Sequence, residues 1–96
     1  MYLMTRWCLR LLTMATILAA AYVGQRYWRH HRYDGLIRLA AERYDTDPHL
    51  VRAVVRRESG FRASARGAAG EYGLMQVREA AGREWARAES IPDFEP

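Results

Sequence analysis

The stretch Asp47-Pro48-His49-Leu50-Val51-Arg52-Ala53-Val54-Val55-Arg56-Arg57-Glu58-Ser59-Gly60-Phe61 decides how this chain folds, because it reads as one helix with both ends marked. Asp47 is a good N-cap, and Pro48 suits the first helical position, where its missing N–H costs nothing. Gly60 suits the left-handed residue that closes a helix. Between them, Val51, Val54, Val55 and Glu58 recur at i, i+3, i+4 and i+7, so the spacing predicts a helix over 48–59 with Glu58 on the valine stripe. Arg52, Arg56 and Arg57 fall on other faces. An apolar stripe disfavours an ionised carboxylate, and so does the C-terminal end of a helix. Glu58 is therefore a candidate general acid.

Reading outward from this helix, Asp34 can cap an earlier one reaching about Tyr44, with Leu36, Ile37, Ala40, Ala41 and Tyr44 at helical spacing. Asp45-Thr46-Asp47 breaks that pattern. Downstream, residues 62–72 are small and glycine-rich, which predicts a loop. Gly73-Leu74-Met75-Gln76-Val77 is expected to open a third helical stretch reaching about Ala88, and residues 90–96 are expected to be irregular. No strand alternation, internal repeat or phosphate-cradling glycine motif is visible. The predicted fold class is all-α.

Residues 1–32 read differently. Arg6 and Arg10 precede Leu11-Leu12-Thr13-Met14-Ala15-Thr16-Ile17-Leu18-Ala19-Ala20-Ala21-Tyr22-Val23, an uncharged run of about 13 residues. That is nearer a signal-peptide core than a full span of ~20 residues, and Ala19-Ala20-Ala21 offers a cleavage site. However, Trp7 at one end and Tyr22, Tyr27 and Trp28 at the other are placed like interfacial aromatics, and Arg10 can snorkel. The reading adopted is an uncleaved membrane anchor with a basic, aromatic collar over residues 25–33; secretion after cleavage is the alternative. Arg26, Arg29 and Arg32 put more positive charge on the C-terminal side than Arg6 and Arg10 put on the other. By the positive-inside rule this opposes an exported C-terminal part. Adjacent histidines such as His30-His31 diverge by about 100° on a helix and chelate poorly, so no metal site is predicted.

The 96 residues leave only 33–96 for a globular unit, which is short for a self-sufficient core. All fifteen Lys and Arg residues are Arg, and the net charge is +4. A basic surface suits nucleic acid, anionic lipid or an acidic wall polymer. The arginines are scattered rather than striped, which argues against nucleic acid as the partner. The single cysteine, Cys8, rules out an internal disulfide, and its setting after Thr5-Arg6-Trp7 is unlike a lipidation site.

At Glu58 the chain resembles a known family. Asp47-Pro48-x-Leu50-Val51-x-Ala53-Val54, then Glu58-Ser59-Gly60-Phe61, then Gly70-Glu71-x-Gly73-Leu74-Met75-Gln76 resembles the start of the lytic transglycosylase catalytic (SLT) domain, over roughly Tyr33 to Ala88. The resemblance implies an all-α, lysozyme-like fold, with residues 33–96 forming its first helices. It implies cleavage of the β-1,4 bond between N-acetylmuramic acid and N-acetylglucosamine in peptidoglycan, with 1,6-anhydro product formation and no cofactor. Glu58 would act as both acid and base, whereas many glycosidases use two carboxylates. Ser59 and Gln76 match positions that line the sugar groove or hold that carboxylate, and Met75 and Tyr72 could form an apolar wall against a sugar ring. The implied location is the cell membrane, with the catalytic part facing the periplasm or wall.

The family's domain continues with an Asn-containing segment, further helices and a Tyr-Asn motif, and these are absent from the sequence. The resemblance is thus to the N-terminal half of the domain, and a complementing chain is a further candidate partner. Val54, Val55, Leu74 and Trp85 are expected to lack packing partners, leaving the chain marginally folded and weakly active or inactive alone. A hydrolytic muramidase using the same glutamate, and an inactive module that binds wall polymer or a partner, are the competing functional readings.

Overall fold

The computed structural model describes residues 1–95. It contains four helices: α1 (Tyr2–His31), α2 (Asp34–Arg43), α3 (Pro48–Ser59) and α4 (Glu79–Ala88). The chain divides into two units, 1–32 and 33–96. The expectation of an irregular tail holds through Glu95; Pro96 lies outside the described residues.

The first unit is α1. Its 30 residues are helical well beyond the uncharged run at either side, and none is buried. By length and composition α1 is able to cross a membrane. It carries its own ring contacts at both ends. The Arg10 guanidinium lies 5.6 Å from the Trp7 ring centre and that of Arg32 lies 4.5 Å from Trp28, while the Tyr27 and His31 rings meet at 4.3 Å, tilted by 37°.

The second unit is built on α2 and α3. Helix α3 has the predicted bounds. Asp47 accepts a hydrogen bond from the His49 N–H at 2.8 Å, Pro48 is the first helical residue, and Gly60 closes the helix with φ +57°. Asp34 lies inside α2 as its first residue rather than capping it, Tyr33 being the N-cap. An acid in the first turn still complements the helix dipole.

Ile37 of α2, Val55 of α3 and Phe61 form the core, with Tyr33, Val51 and Leu74 packed against it. Val55 is 2% exposed, so it does not lack partners as expected: α2 and Phe61 cover it. Val54 and Leu74 are half-buried, and Trp85 is exposed. The Arg52 guanidinium pairs with Asp34 across the α2–α3 interface and sits 4.9 Å over the Phe61 ring.

The expected third helix is corrected in its first half. Residues 72–77 form a closed turn, with reciprocal Tyr72–Val77 backbone hydrogen bonds at 3.1 Å, and α4 begins only at Glu79. Gly73 (φ +83°) and Gln76 (φ +50°) are left-handed, and neither conformation fits a right-handed helix. Pairing is limited to single bridges, Arg66 with Tyr72 and Tyr72 with Val77, and no strand forms among the described residues. Helix α4 buries Gly82 and Ala86. Phe94 folds back over Gly82, where an added Cβ would lie 3.1 Å from its ring, and meets Trp85 edge-on at 6.5 Å.

Candidate active site

Glu58 stands in the last turn of α3, one residue before Ser59 and two before the Gly60 cap. Its side chain is exposed, and no hydrogen bond or ion pair holds it among the described residues. The apolar setting suggested by the valine stripe is not built around it. The buried side of α3 is centred on Val55 and faces α2 and Phe61, with Val51 and Ser59 half-buried one turn either way. Glu58 flanks that side and is exposed, while Val54 is half-buried. A carboxylate placed this way is accessible to a substrate and unconstrained by any partner.

Ser59 is half-buried and donates its hydroxyl to the Val55 carbonyl at 3.0 Å. The donor is thus engaged within its own helix, while the hydroxyl's acceptor capacity remains. Immediately after it, Gly60 and Phe61 are both left-handed, at φ +57° and +62°. A bulky residue in that region costs on the order of 1–2 kcal/mol. Burial of the Phe61 ring, 1% exposed, offsets that cost. The reversal leads the chain into the loop that carries the second motif.

That loop is a compact knot of backbone bonds. The Gly67 N–H donates to the Glu71 carbonyl at 2.7 Å, and the Gly73 N–H to the Ala65 carbonyl at 3.1 Å. Gln76 clamps it: its side-chain amide donates to the carbonyls of Ala65 (3.0 Å) and Gly73 (2.9 Å). Two carbonyl partners assign the NH2 end of the amide unambiguously. Both Gln76 donors are therefore spent on the loop, which leaves its carbonyl oxygen as the group able to meet a ligand. Glu71 is half-buried and structural in role; it accepts from the Ala69 N–H at 3.0 Å and lies 4.0 Å from the Arg78 guanidinium. Gly67 is the point of closest approach, since a Cβ there would overlap Glu71 Oε2 and lie 2.9 Å from Gln76 Oε1.

Leu74 joins the two motifs. It packs on the Ile37–Val55–Phe61 cluster and so docks the 72–77 turn onto the core to which the end of α3 belongs. The neighbouring Met75 is exposed, while Tyr72 is half-buried with the Arg66 guanidinium 5.0 Å from its ring centre. Sequence reasoning did not anticipate Phe61 as a core residue at positive φ, the Arg52–Asp34 pair or the inward turn of Gln76. The pairing of Gly60 with an aromatic was the available signal for the first; the other two had none.

The Transglycosylase SLT domain family matches residues 35–93 of the chain. Among curated proteins the chain is similar to membrane-bound lytic murein transglycosylase C of Klebsiella pneumoniae, 39% identical over 62 residues, which is 64% of this chain and 17% of the relative. It is also similar to the protein of that name from Sodalis glossinidius, 40% identical over 57 residues, or 58% of this chain and 16% of the relative. The Cronobacter sakazakii protein of that name is 37% identical over 62 residues, again 64% of this chain and 17% of the relative. The chain thus spans about one sixth of the length of these relatives. No solved structure matches it significantly. With both motif strings inside the matched segment and helices as the only regular elements described around them, the chain belongs to the transglycosylase SLT domain family.

Proposed function

We propose that this protein carries the acid-bearing part of a peptidoglycan lytic transglycosylase, cleaving the β-1,4 bond between N-acetylmuramic acid and N-acetylglucosamine. The observation that carries this reading is the placement of Glu58: an exposed, unpartnered carboxylate at the end of a capped helix, inside the family match. In this scheme Glu58 donates a proton to the departing glycosidic oxygen. The resulting carboxylate then takes the proton of the muramic acid 6-hydroxyl as that oxygen closes on C1, giving the 1,6-anhydro end. One group returns to its starting state, so no second carboxylate is required.

The other candidate residues take roles that their own contacts suit. Met75, exposed beside the docked Leu74, offers an apolar surface to a sugar ring, and Tyr72 backs the same turn. Gln76 serves first as the clamp of the loop and presents only its carbonyl oxygen to an N–H or hydroxyl of the glycan. Ser59 contributes acceptor capacity beside Glu58. With α1 as a membrane anchor, the glycan-binding unit would work at the membrane surface on the wall side.

The test is digestion of purified peptidoglycan by the protein, with the released fragments identified by mass spectrometry. Anhydro-muramyl ends that disappear in Glu58→Gln are the expected result. Reducing ends would assign hydrolysis by the same glutamate instead. Equal release by the Glu58→Gln protein would remove Glu58 from the chemistry and favour a binding role.

A further inference from the structure

Helix α2 is apolar on two sides. Ile37 and Ala41 are buried toward α3, as a ten-residue surface helix requires. Leu36, Leu39, Ala40 and Arg43 form a second stripe at i, i+3, i+4 and i+7, and among the described residues only Ala40 of this stripe is half-buried, the rest being exposed. With Tyr44 and Trp85 they line one shallow, mostly apolar groove in the second unit. Leu39 is 64% exposed and Leu36, Tyr44 and Trp85 are also exposed, which leaves a leucine–tyrosine–tryptophan face in water. Scattered apolar residues on a surface need no explanation, whereas a contiguous face drawn from two helices does.

The chemistry of this face suits a lipid surface. Tyrosine and tryptophan prefer the boundary between headgroups and acyl chains, and leucines insert below them. Arg43 crosses the groove edge, bonded to Glu89 at 3.3 Å with its guanidinium 5.5 Å from the Tyr44 ring centre, and Arg38 is exposed on the same helix. Upstream, Arg26, Arg29 and Arg32 add a basic collar; the net charge of +4 resides in residues 1–32, since all eleven Asp and Glu lie in 33–96 beside ten Arg. The collar is complementary to anionic phospholipid, and the apolar face beside it to the acyl boundary.

Chain connectivity adds an independent constraint. Helix α1 spans 30 residues. At ~1.5 Å per residue this exceeds the ~30 Å of a hydrocarbon core, so its last turns emerge among the headgroups. Only Arg32 and Tyr33 separate the end of α1 from the start of α2. The covalent link therefore keeps Leu36 and Leu39 within a few residues' reach of the bilayer whenever α1 spans it.

We infer that the Leu36–Leu39–Tyr44–Trp85 face is a membrane dock, seated at the headgroup–acyl boundary of an anionic bilayer. This inference rests on α1 being an uncleaved anchor, and it goes further by giving the glycan-binding unit a fixed attitude on the membrane. Because Ile37 and Ala41 turn toward α3 while Leu36 and Leu39 turn elsewhere, docking by α2 leaves α3 and its Glu58 clear of the lipid.

The test uses the full chain with Cys8→Ser, reconstituted in vesicles of equal parts phosphatidylethanolamine and phosphatidylglycerol, with single cysteines carrying an environment-sensitive fluorophore. Label positions are Ile17→Cys in α1, Leu36→Cys and Leu39→Cys in the face, and Arg57→Cys on α3. Lipids bearing quenchers at shallow and deep positions report contact and depth. The inference expects deep quenching at 17, blue-shifted emission with shallow quenching at 36 and 39, and water-like, unquenched emission at 57. Deep quenching at 17 with water-like emission at 36 and 39 overturns the dock and leaves the anchor standing. Blue-shifted but unquenched emission at 36 and 39 overturns it too, since protein, either a second copy or another part of the chain, then covers the face. No quenching at 17 overturns the anchor and the dock together.

Discussion

The side-chain amide of Gln76 donates to the carbonyl of Ala65 at 3.0 Å, closing the loop between the two motif strings from its far end. A second bond from the same nitrogen, to Gly73 at 2.9 Å, holds the turn in which Gln76 itself is left-handed. Removing both donors takes one hydrogen bond from each of two half-buried carbonyls, which keep their backbone partners Gly73 N–H and Gln76 N–H, and each lost bond is worth about 0.5–1.5 kcal/mol. Gln76→Ala is expected to destabilise the second unit by about 1–3 kcal/mol, and Gln76→Glu by more, because it sets a carboxylate against two carbonyl oxygens. Urea unfolding followed by tertiary NMR shifts of that unit checks both. A Gln76→Glu protein as stable as the parent would show that the clamp is not needed.

Gly67 marks where the same loop is tightest. A methyl group there would overlap Glu71 Oε2 and approach Gln76 Oε1 at 2.9 Å. Gly67→Ala is expected to cost about 1–3 kcal/mol as those side chains are displaced. In the same unfolding series, combining it with Gln76→Ala should cost less than the sum of the two singles, since both act on one contact.

Phe61 is expected to be the most sensitive position in the chain. Its ring is 1% exposed in a core whose other members in the cluster are Ile37 and Val55. Phe61→Ala should lose about 3–5 kcal/mol, enough to unfold so small a unit, whereas Phe61→Leu should lose far less. Near-ultraviolet circular dichroism, which reports tertiary packing, distinguishes the two outcomes; α1 would mask the change in a helical signal.

The Arg52–Asp34 pair is partly open to solvent, with side chains 29% and 48% exposed. Breaking it with Asp34→Asn is expected to cost less than about 1 kcal/mol and to lose most of that effect in high salt. Arg52→Ala should cost more than Asp34→Asn at every salt concentration, because Arg52 also covers the Phe61 ring at 4.9 Å. Thermal unfolding midpoints at low and high ionic strength compare them.

Glu58→Gln is expected to separate function from stability. The side chain is exposed and makes no contact that folding needs, so the unfolding free energy should change by less than about 0.5 kcal/mol. Loss of glycan cleavage without loss of stability is the signature of a reacting group. A Glu58→Gln protein that both cleaves and folds normally would place the acid elsewhere.

The sequence alone determined α3 to the residue, because its boundary signals are local: the Asp47 cap, Pro48 at the first position and a left-handed Gly60 act within one turn of the backbone. It also determined that Glu58 stands at the end of that helix, and that residues 1–32 differ in kind from residues 33–96. Tertiary structure decided which side of α3 is covered. Periodicity identifies an apolar stripe but cannot say that α2 and Phe61 close over Val55 while Glu58 stays open. It decided the form of residues 72–77 as well. A helix there was reasonable from local preference, yet Leu74 is drawn into the core and Gln76 bonds to a carbonyl far back in the chain. Those long-range contacts stabilise left-handed conformations at Gln76 and Phe61 that no local propensity favours.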